Sequence, residues 1–284
     1  MKKMKTTSYE LNMIRPDLAP GRVRLAFLTD LHNAENGSHN ETLIHAIKEA
    51  QPDLILCGGD MLIGKKNAPS NVARDLLITL AEEYPIYHAL GNHEDRLKTY
   101  PHQYGPIYQE YKDALEHAGI IFLDNESELL SIRGIPLQIA GLSICQKYYK
   151  RMKRYHLDAS EILEHLGAPN VHAINIMLAH HPNYMDSYVN WGADLTICGH
   201  YHGGLMRIGK TTGLLTPNLK LLNERCCGIF DFHARIRQGV PVMHDSHVII
   251  SAGLGEHTLP IRIHNPRELV IVDLNVKKKN PEEE

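Results

Sequence analysis

The sequence LAFLTDLH, residues 25–32, joins a short apolar run to two polar side chains, Asp30 and His32. A continuous apolar run of this length is typical of a strand that is buried on both faces. An amphipathic helical pattern follows over residues 43–50, and residues 54–57 form a second apolar run. This order of strand, helix and strand predicts a layered α/β fold with a partly parallel sheet.

The rest of the chain repeats short apolar runs between helical patterns over residues 72–80 and 107–118. Further strands are predicted at residues 86–90, 120–123, 129–132, 137–140, 173–178, 195–198, 248–252, 261–263 and 269–274. Because open twisted sheets rarely exceed about ten strands, these strands are predicted to divide into two packed sheets. We therefore expect an α/β fold built as a four-layer αββα sandwich, with two mixed β-sheets flanked by helices.

The domain organisation is predicted to be simple, with one domain over residues 1–276. Residues 205–247 have weak periodicity and are predicted to be an insertion near the active site, since long irregular segments are usually functional or disordered. Residues 277–284 begin with three Lys and end with three Glu, and they are predicted to form a disordered tail.

The composition of the chain indicates which binding partners and which cellular compartment to expect. The 284 residues carry 30 Lys and Arg against 33 Asp and Glu, so the net charge is -3 with His neutral. This charge gives no general field that would hold a polyanion, and we expect no stable complex with duplex nucleic acid. Five Cys without a CxxC pair suit a reducing compartment. Because no stretch approaches the roughly 18 apolar residues of a membrane span, we expect a cytoplasmic protein with at most peripheral contact to the inner membrane face.

Five predicted strands each end in a cluster of potential metal ligands. The clusters are Asp30-Leu31-His32, Gly59-Asp60, Gly91-Asn92-His93, His180-His181-Pro182 and Gly199-His200-Tyr201-His202. The carboxyl ends of strands in sheets built from α/β units open onto one ligand crevice, so we expect these clusters to converge. The chain also holds 19 His, a residue whose specialised uses are metal ligation and proton transfer near neutral pH.

The types and number of these donors predict the metal and the reaction. Asp, Asn and His offer oxygen and imidazole nitrogen without thiolate, a set that suits Mn, Fe or Zn better than Ca or Mg. Seven such ligands are too many for one tetrahedral zinc site, and they fit two divalent transition-metal ions that share a carboxylate. Two ions of this kind clamp the attacking and leaving oxygens of a phosphoryl displacement, so phosphoester hydrolysis is the expected reaction.

The ordered set of Asp-x-His, Gly-Asp, Gly-Asn-His-Glu, His-x-Pro and Gly-His-x-His resembles the calcineurin-like metallophosphoesterase superfamily. All five blocks are present, in order, between residues 30 and 202. Downstream, Gly253-Leu254-Gly255 followed by Leu259-Pro260-Ile261-Arg262 resembles the tail of a bacterial phosphodiesterase subgroup. The resemblance implies a metal-dependent phosphodiesterase or phosphomonoesterase.

The resemblance also implies how the ligands are shared between two metals. One metal would be held by Asp30, His32, Asp60 and His202, and the other by Asp60, Asn92, His180 and His200. Asp60 would therefore bridge the two ions. Manganese is the first expectation for both ions, with iron or zinc as the alternatives.

The same resemblance implies that a hydroxide bridging the metals is the nucleophile and that His93 protonates or stabilises the leaving oxygen. Two cations lower the pKa of bound water and neutralise the phosphate oxygens, which leaves protonation of the leaving oxygen to an imidazole. The family often has a second Asp three residues after its Gly-Asp block. This chain has Ile63 there, so that carboxylate cannot support the site.

Two further features are predicted to contact the substrate. The His-x-Pro spacing of the family favours His180 as the ligand, which leaves His181 to contact the substrate or to support the ligands. A basic aromatic stretch contains Lys147, Lys150 and Arg151, which would attract a phosphorylated or lipid-headgroup substrate. The alternative for this stretch is a solvated helix face.

Two other functions compete with the hydrolase. One is a non-catalytic interaction scaffold with the same fold, which would be expected to have lost the catalytic His, whereas His93 and every ligand are present. The other is a nuclease of the same superfamily, which the acidic balance disfavours. The expected substrate is a small phosphate ester, lipid-linked or nucleotide, and either a monoester or a diester.

Overall fold

The computed structural model of the chain describes residues 4–150, 153, 155–216, 221–234, 244–256 and 261–278. Strands make up most of the regular structure of these residues. The strands are β1 (Met4–Ile14), β2 (Gly21–Leu28), β3 (Leu54–Cys57), β4 (Ile86–Ala89), β5 (Ile121–Leu123), β6 (Glu126–Ile132), β7 (Ile135–Leu142), β8 (Ile174–Ala179), β9 (Leu195–Cys198), β10 (Met206–Ile208), β11 (Thr212–Leu214), β12 (Gly228–Ala234), β13 (His244–Ile250) and β14 (Arg267–Lys277).

The α-helices lie mainly between the strands of the first half of the chain. They are α1 (Glu41–Ala50), α2 (Asn71–Ala81), α3 (Asn92–Thr99), α4 (Pro101–Tyr104), α5 (Ile107–His117), α6 (Ala159–Leu166) and α7 (Met185–Trp191). Among these helices, none combines the length and the apolarity that a membrane crossing requires.

Two six-stranded mixed sheets form the centre of the fold. The first has the order β1-β14-β2-β3-β4-β5, in which β14 is antiparallel to β2 and the other neighbours are parallel. The second has the order β12-β13-β9-β8-β7-β6, in which the edge strands β12 and β6 are antiparallel to their neighbours. The short strands β10 and β11 pair separately as a hairpin.

Successive side chains of the buried strands point to opposite faces of the sheet and pack in different apolar clusters. Leu25 and Phe27 of β2 face the second sheet and share one apolar cluster with Ile139 of β7. Ala26 and Leu28 face the other way and pack with residues of α1, α2 and α5. The outer face of the second sheet packs on α6 and α7 in the same manner. The layers therefore run helices, sheet, sheet and helices, and the predicted αββα sandwich is confirmed.

Two strand assignments from the sequence are corrected by the structure. Residues 4–14 form β1, which was not predicted, although Tyr9, Leu11 and Met13 alternate with polar residues and pack against the apolar cluster between the sheets. Residues 261–263 were predicted as a strand, but they make a single bridge, between Ile263 and Met206. A short β-branched run is therefore not sufficient for a strand when only one residue finds a partner.

The predicted insertion and tail are partly covered by the structure. Within residues 205–247, the hairpin of β10 and β11 stands apart from the large sheets, whereas β12 is an edge strand of the second sheet. Residues 217–220 and 235–243 of this segment lie outside the described residues. Of the tail, Lys277 ends β14, and residues 279–284 lie outside the described residues.

A buried carboxylate on β14 ties this strand to β2. Asp273 accepts hydrogen bonds from Nε of Arg24 at 2.8 Å and from Nε of Arg22 at 2.9 Å. Burial raises the pKa of the Asp273 carboxyl, but the two guanidinium groups outweigh burial and hold this pKa below its usual value of 3.8. The ionised form of Asp273 is therefore the form that stabilises the folded protein.

Asp273→Asn is expected to lower the free energy of unfolding by about 1–2 kcal/mol at pH 7, since hydrogen bonds to charged groups contribute this much where the partners are partly exposed. The folded pKa lies below the unfolded value of about 3.9, so the contribution is present above the unfolded pKa and is lost as the pH falls through the folded pKa. Urea denaturation of wild type and variant between pH 7 and pH 3 measures the difference. A difference that stays constant over this range, or equals that of the exposed control Asp75→Asn, would contradict the assignment.

Candidate metal centre

The five clusters predicted from the sequence meet at one edge of the sandwich. The first sheet contributes the residues that follow β2, β3 and β4, and the second sheet those that follow β8 and β9. The buried side chains placed in this way are Asp30, His32, Asp60, Asn92, His180, His200 and His202. The crevice therefore lies where the carboxyl ends of strands from both sheets come together, as expected for α/β units.

Two compact groups of side chains in this crevice could each hold a metal ion. Within each group the donor atoms lie within 4.8 Å of one another. The groups are Asp30 with His32 and His202, and Asp60 with His180 and His200. A third group, His32 with Asp60 and His93, takes one residue from each, so the two groups are contiguous.

The Asp60 carboxylate lies between the two groups. Its Oδ2 atom is 3.1 Å from Nε2 of His180 and 3.9 Å from Nε2 of His32. Asp30 approaches from the other side, with its Oδ1 atom 3.3 Å from Nε2 of His202 and 3.7 Å from Nε2 of His180. A single oxygen of Asp60 therefore comes close to imidazoles of both groups.

Hydrogen bonds fix which imidazole nitrogen faces the carboxylates. Nδ1 of His180 lies 2.8 Å from the carbonyl oxygen of Gly58, and Nδ1 of His32 lies 3.2 Å from that of Leu62. Because a carbonyl oxygen only accepts, Nδ1 is the donor in each ring and Nε2 points into the crevice. Metal-binding His residues commonly donate their second nitrogen to a carbonyl in this way.

The amide oxygen of Asn92 gives an independent test of whether a cation fits. Its Oδ1 atom is buried and has no hydrogen-bond partner among the described residues. A buried polar atom without a partner costs about 1–3 kcal/mol, and such atoms in native proteins usually meet an ion or a water. Together with the oriented imidazoles, this oxygen fits the metal centre that the sequence predicts.

The backbone of the crevice is strained at the candidate ligands. Positive φ angles between 48° and 69° occur at Asp30, His32, Asp60, His200 and His202. This left-handed region costs a residue with a side chain about 1–3 kcal/mol, and residues held in it cluster at functional sites. The rest of the fold therefore stabilises a local conformation that these residues would not adopt by themselves.

Two glycines pack directly against the carboxylates. A Cβ atom at Gly91 would overlap the carboxylate of Asp60, and one at Gly199 would overlap that of Asp30. The close approach lets the Asp30 carboxylate accept the backbone N–H of His200 at 3.0 Å. Since Asp30 follows a strand of the first sheet and His200 a strand of the second, this hydrogen bond joins the two sheets.

Burial and neighbouring charges control protonation in the crevice. Burial by itself raises the pKa of the Asp60 carboxyl, but His180 and His93 beside it hold this pKa below its usual range. In the same way, burial lowers the pKa of His180, whereas the carboxylates of Asp60 and Asp30 raise it above its usual value. A protonated His180 thus balances the carboxylates, and a bound cation would take over this function.

The profile of the calcineurin-like phosphoesterases matches residues 23–204, which include all five clusters. The chain belongs to the calcineurin-like phosphoesterase family. Its family and its candidate metal-binding groups together make it a metal-dependent phosphoesterase, an enzyme that hydrolyses phosphoester bonds.

Two bacterial relatives match this phosphoesterase over most of their length. The uncharacterized metallophosphoesterase YkoQ of Bacillus subtilis is 26% identical over 278 residues, which are 93% of this chain and 90% of the relative. Phosphodiesterase YaeI of Escherichia coli is 26% identical over 270 residues, 94% of this chain and 86% of the relative. Among solved structures, the NAD nucleotidase of Haemophilus influenzae is 13% identical with a TM-score of 0.44, over 82% of this chain and 46% of that one.

His93 of the phosphoesterase is held beside Asp60 in a defined protonation state. Its Nδ1 accepts the backbone N–H of Gly64 at 2.8 Å, so the neutral ring carries its proton on Nε2. Its own backbone N–H donates to Oδ1 of Asp60 at 2.8 Å, and its ring lies 4.7 Å from the ring of His32. Burial lowers the pKa of His93. His93 is therefore a neutral N–H donor at the edge of the crevice.

Glu94 organises the crevice, although the sequence analysis gave it no role. Its Oε2 atom accepts the backbone N–H groups of Asp60 at 2.7 Å and Gly91 at 3.1 Å, and its Oε1 atom accepts that of Leu62 at 2.8 Å. One buried carboxylate thus joins the segments that follow β3 and β4. The feature of the sequence that could have pointed to Glu94 is its position as the last residue of the Gly-Asn-His-Glu block.

Tyr149 closes the side of the crevice formed by the second sheet. Its ring centroid lies 5.1 Å from that of His181 and 5.4 Å from that of His200. The His181 ring is 4.3 Å from the His200 ring, and its Nδ1 accepts the backbone N–H of Asn183 at 3.2 Å. In His180 the same atom faces a carbonyl oxygen. Nδ1 therefore donates in His180 and accepts in His181, which places the proton of a neutral His181 on Nε2, and the candidate metal groups include only His180.

The three basic residues predicted to contact substrate flank Tyr149. The Nζ atom of Lys147 lies 4.6 Å from the ring centroid of Tyr148, and Lys150 is exposed. Arg151 lies outside the described residues. Positive charge distinguishes these three residues in the sequence, whereas the side chain that the structure brings to the His residues is the uncharged Tyr149.

Glu94→Gln is expected to lower the affinity for Mn²⁺ by about 10–100-fold, the usual effect of losing a group that orients metal ligands. Gln is the same size, but its NH₂ group would face a backbone N–H that now donates to the Glu94 carboxylate. Calorimetric titration of the metal-free protein measures the affinity. The exposed Glu110→Gln is the matched control, and an unchanged affinity in Glu94→Gln would show that the three hydrogen bonds do not support the site.

Proposed function

We propose that the protein hydrolyses a small phosphate ester with two divalent transition-metal ions. The observation that carries this proposal is the position of Asp60 Oδ2, which lies 3.1 Å from His180 and 3.9 Å from His32. These imidazoles belong to different candidate metal groups. A carboxylate so placed suits a bridge between two ions better than a ligand of one.

The ligands would divide as the family resemblance implies. One ion would contact Asp30, His32, Asp60 and His202, and the other Asp60, Asn92, His180 and His200. When bound, the two ions supply a nucleophile from water at neutral pH and neutralise charge on the phosphoryl oxygens. The chain's own contribution is to hold these donors rigidly, through the strained backbone and the buried Glu94.

The donor chemistry supports manganese, iron or zinc as the resident ions. All the donors in the crevice are oxygen or imidazole nitrogen. Cys57 and Cys198 end the strands that lead into the crevice, but they pack in the apolar clusters beneath the helices. A site without thiolate and with several imidazoles suits Mn, Fe or Zn more than Ca or Mg.

His93 is proposed to assist the leaving group. The neutral ring has its proton on Nε2, because Nδ1 accepts the N–H of Gly64. A donor at this atom can hydrogen bond to the oxygen that leaves the phosphorus and can stabilise the negative charge that forms there. Burial lowers the pKa of His93, and the charges of Arg96 and Lys65 lower it further, so the neutral ring with its Nε2–H donor is favoured.

Basic side chains around the crevice support an anionic substrate. Lys65 lies close enough to His93 to affect its pKa, and Gly64, the preceding residue, contacts the His93 ring. Lys147, Lys150, Arg151 and His181 stay predicted substrate contacts. Basic side chains near the crevice suit a phosphate ester, because ammonium and guanidinium groups donate strong hydrogen bonds to phosphate oxygens.

The name of one relative, phosphodiesterase YaeI, favours a diester over a monoester. The experiment that tests the proposed function is hydrolysis of a substrate panel by metal-loaded protein. The panel contains aryl phosphate monoesters and diesters, nucleotides, cyclic nucleotides and sugar-nucleotide pyrophosphates. Diester turnover above monoester turnover is expected, and lack of turnover on every ester with both sites loaded would favour the non-catalytic scaffold.

Asp60→Asn is expected to weaken both metal sites, because it removes the one negative charge that is shared between two cations. His202→Ala is expected to weaken mainly one site. Stepwise Mn²⁺ titration by calorimetry, with about two ions bound per chain in the wild type, distinguishes these results. The exposed Asp113→Asn is the control for Asp60→Asn. If Asp60→Asn kept one site at full affinity while His202→Ala lost both, the bridging assignment would be wrong.

His93→Ala is expected to keep both metals and to lose about 100-fold or more in turnover, the usual cost of losing a group that protonates or stabilises the leaving oxygen. Metal analysis of the purified variant is done beside steady-state kinetics. The exposed His165→Ala on α6 serves as the control and is expected to behave as wild type. Wild-type turnover in His93→Ala with full metal occupancy would remove His93 from the mechanism.

A further inference from the structure

Two basic side chains from different elements lie beside His93. Arg96 follows His93 by one turn of α3, and Lys65 directly follows Gly64, whose backbone N–H donates to Nδ1 of His93 at 2.8 Å. Burial is the main reason that the pKa of His93 is lowered, and the charges of Arg96 and Lys65 lower it further. We call Arg96 and Lys65 together the cationic edge.

The geometry of α3 directs Arg96 toward the crevice. This helix begins at the candidate ligand Asn92. Long side chains in a helix lean toward its N-terminus and lie over the residues three and four positions earlier. For Arg96 these residues are His93 and Asn92. The side chain of Arg96 therefore lies toward the end of α3 that borders the candidate metal centre.

Arg96 is half-buried, yet it has no hydrogen-bond acceptor or counterion among the described residues. The half-buried Arg24, in contrast, donates to the carboxylate of Asp273 at 2.8 Å. The carboxylate next to Arg96 in the chain, that of Asp95, accepts a hydrogen bond from Gln146 instead. A guanidinium offers five N–H donors in a planar fork, so those of Arg96 are available to a ligand.

The cationic edge lies outward of the buried metal donors. The ring of His93 is 4.7 Å from that of His32, a buried candidate ligand. Lys65 is exposed, and within the part of the chain that the structure describes it forms no ion pair. A leaving group that meets His93 and extends from the metal centre toward solvent therefore passes Arg96 and Lys65.

Two cations without counterions favour an anionic ligand, and phosphate suits them well. A guanidinium binds phosphate oxygens through two parallel N–H···O hydrogen bonds, and an ammonium adds a compact positive charge. Because Arg96 lies on α3 and Lys65 on the segment after β3, the two side chains approach from different elements. One tetrahedral group can therefore contact both.

We propose that the cationic edge binds a phosphate group carried by the leaving group of the substrate. The substrate then has two phosphate groups, one that is attacked at the metal centre and one that departs with the leaving group. This inference rests on the proposed function, because it takes His93 as the group that meets the leaving oxygen.

The test compares two methyl 4-nitrophenyl phosphodiesters, of which one carries a phosphonomethyl group on the ring of the leaving phenol. The value of kcat/KM is measured for both with the Mn²⁺-loaded full chain, and the charged ester is expressed relative to the plain one. Any change that acts through His93 or the metals affects both esters and cancels in this ratio. Arg96→Gln is expected to lower the ratio at least about tenfold, mainly through KM, since hydrogen bonds to charged groups are lost. Arg96→Lys is expected to restore part of it, and Lys65→Gln to give a smaller loss.

The matched control is Lys98→Gln, which removes one positive charge from the same helix at an exposed side chain that pairs with Asp124. It is expected to keep the wild-type ratio. An unchanged ratio in Arg96→Gln, or an equal loss in Arg96→Gln and the control, would overturn the proposal.

Failure of the proposed function gives a different result. If protein with both metals bound hydrolysed neither ester, the phosphonate-bearing phenol would be titrated into wild type and Arg96→Gln by calorimetry. Binding at least about tenfold weaker in the variant would support the cationic edge without any turnover. Equal affinities would show that Arg96 does not bind the anion.

Discussion

Two carboxylates, Asp30 and Asp60, are buried where the two sheets meet, and this negative charge has to be balanced inside the protein. Imidazoles and backbone N–H groups from both sheets provide the balance. The N–H of His200, from the second sheet, donates to Asp30, and the N–H of His93 donates to Asp60. The same requirement explains the glycine at position 91, because any side chain there would displace the Asp60 carboxylate. The need to balance these two buried carboxylates therefore affects both the packing of the two sheets and the arrangement of the candidate ligands.

Strands buried on both faces could be predicted from the sequence because they are continuous apolar runs. The bounds predicted for residues 54–57 and 195–198 coincide with β3 and β9. Strand β1 escaped prediction because its apolar alternation is limited to Tyr9, Leu11 and Met13, whereas residues 4–8 are not buried and are held by pairing along β14. The hairpin of β10 and β11 escaped for a similar reason, since it is held by bridges to Ile263 and Asn223.

The convergence of the candidate ligands could be predicted, because ordered polar blocks at strand ends have few other interpretations. Residues that act through the backbone could not be found in this way. Glu94 accepts three backbone N–H groups, and the guanidinium of Arg262 donates to backbone carbonyl oxygens, among them that of Ala252. Backbone N–H and C=O groups occur along the whole chain, so the sequence does not show which of them a side chain will meet. Such contacts are known only once the fold is known. The contribution of Tyr149 likewise follows from where its ring is placed, 5.4 Å from that of His200.

The position of β14 between β1 and β2 has a consequence for biosynthesis. Val270 pairs with Phe27, and Leu269 pairs with Thr6, so the strand in the middle of this group leaves the ribosome long after its two neighbours. Until it arrives, β2 has an open edge, and open edges invite pairing with other chains. The parallel strands β2, β3 and β4 can form early, but the sheet closes only when β14 inserts. In a nascent chain the edge of β2 therefore stays unpaired until β14 has been synthesised, and this edge is where pairing with another chain would begin.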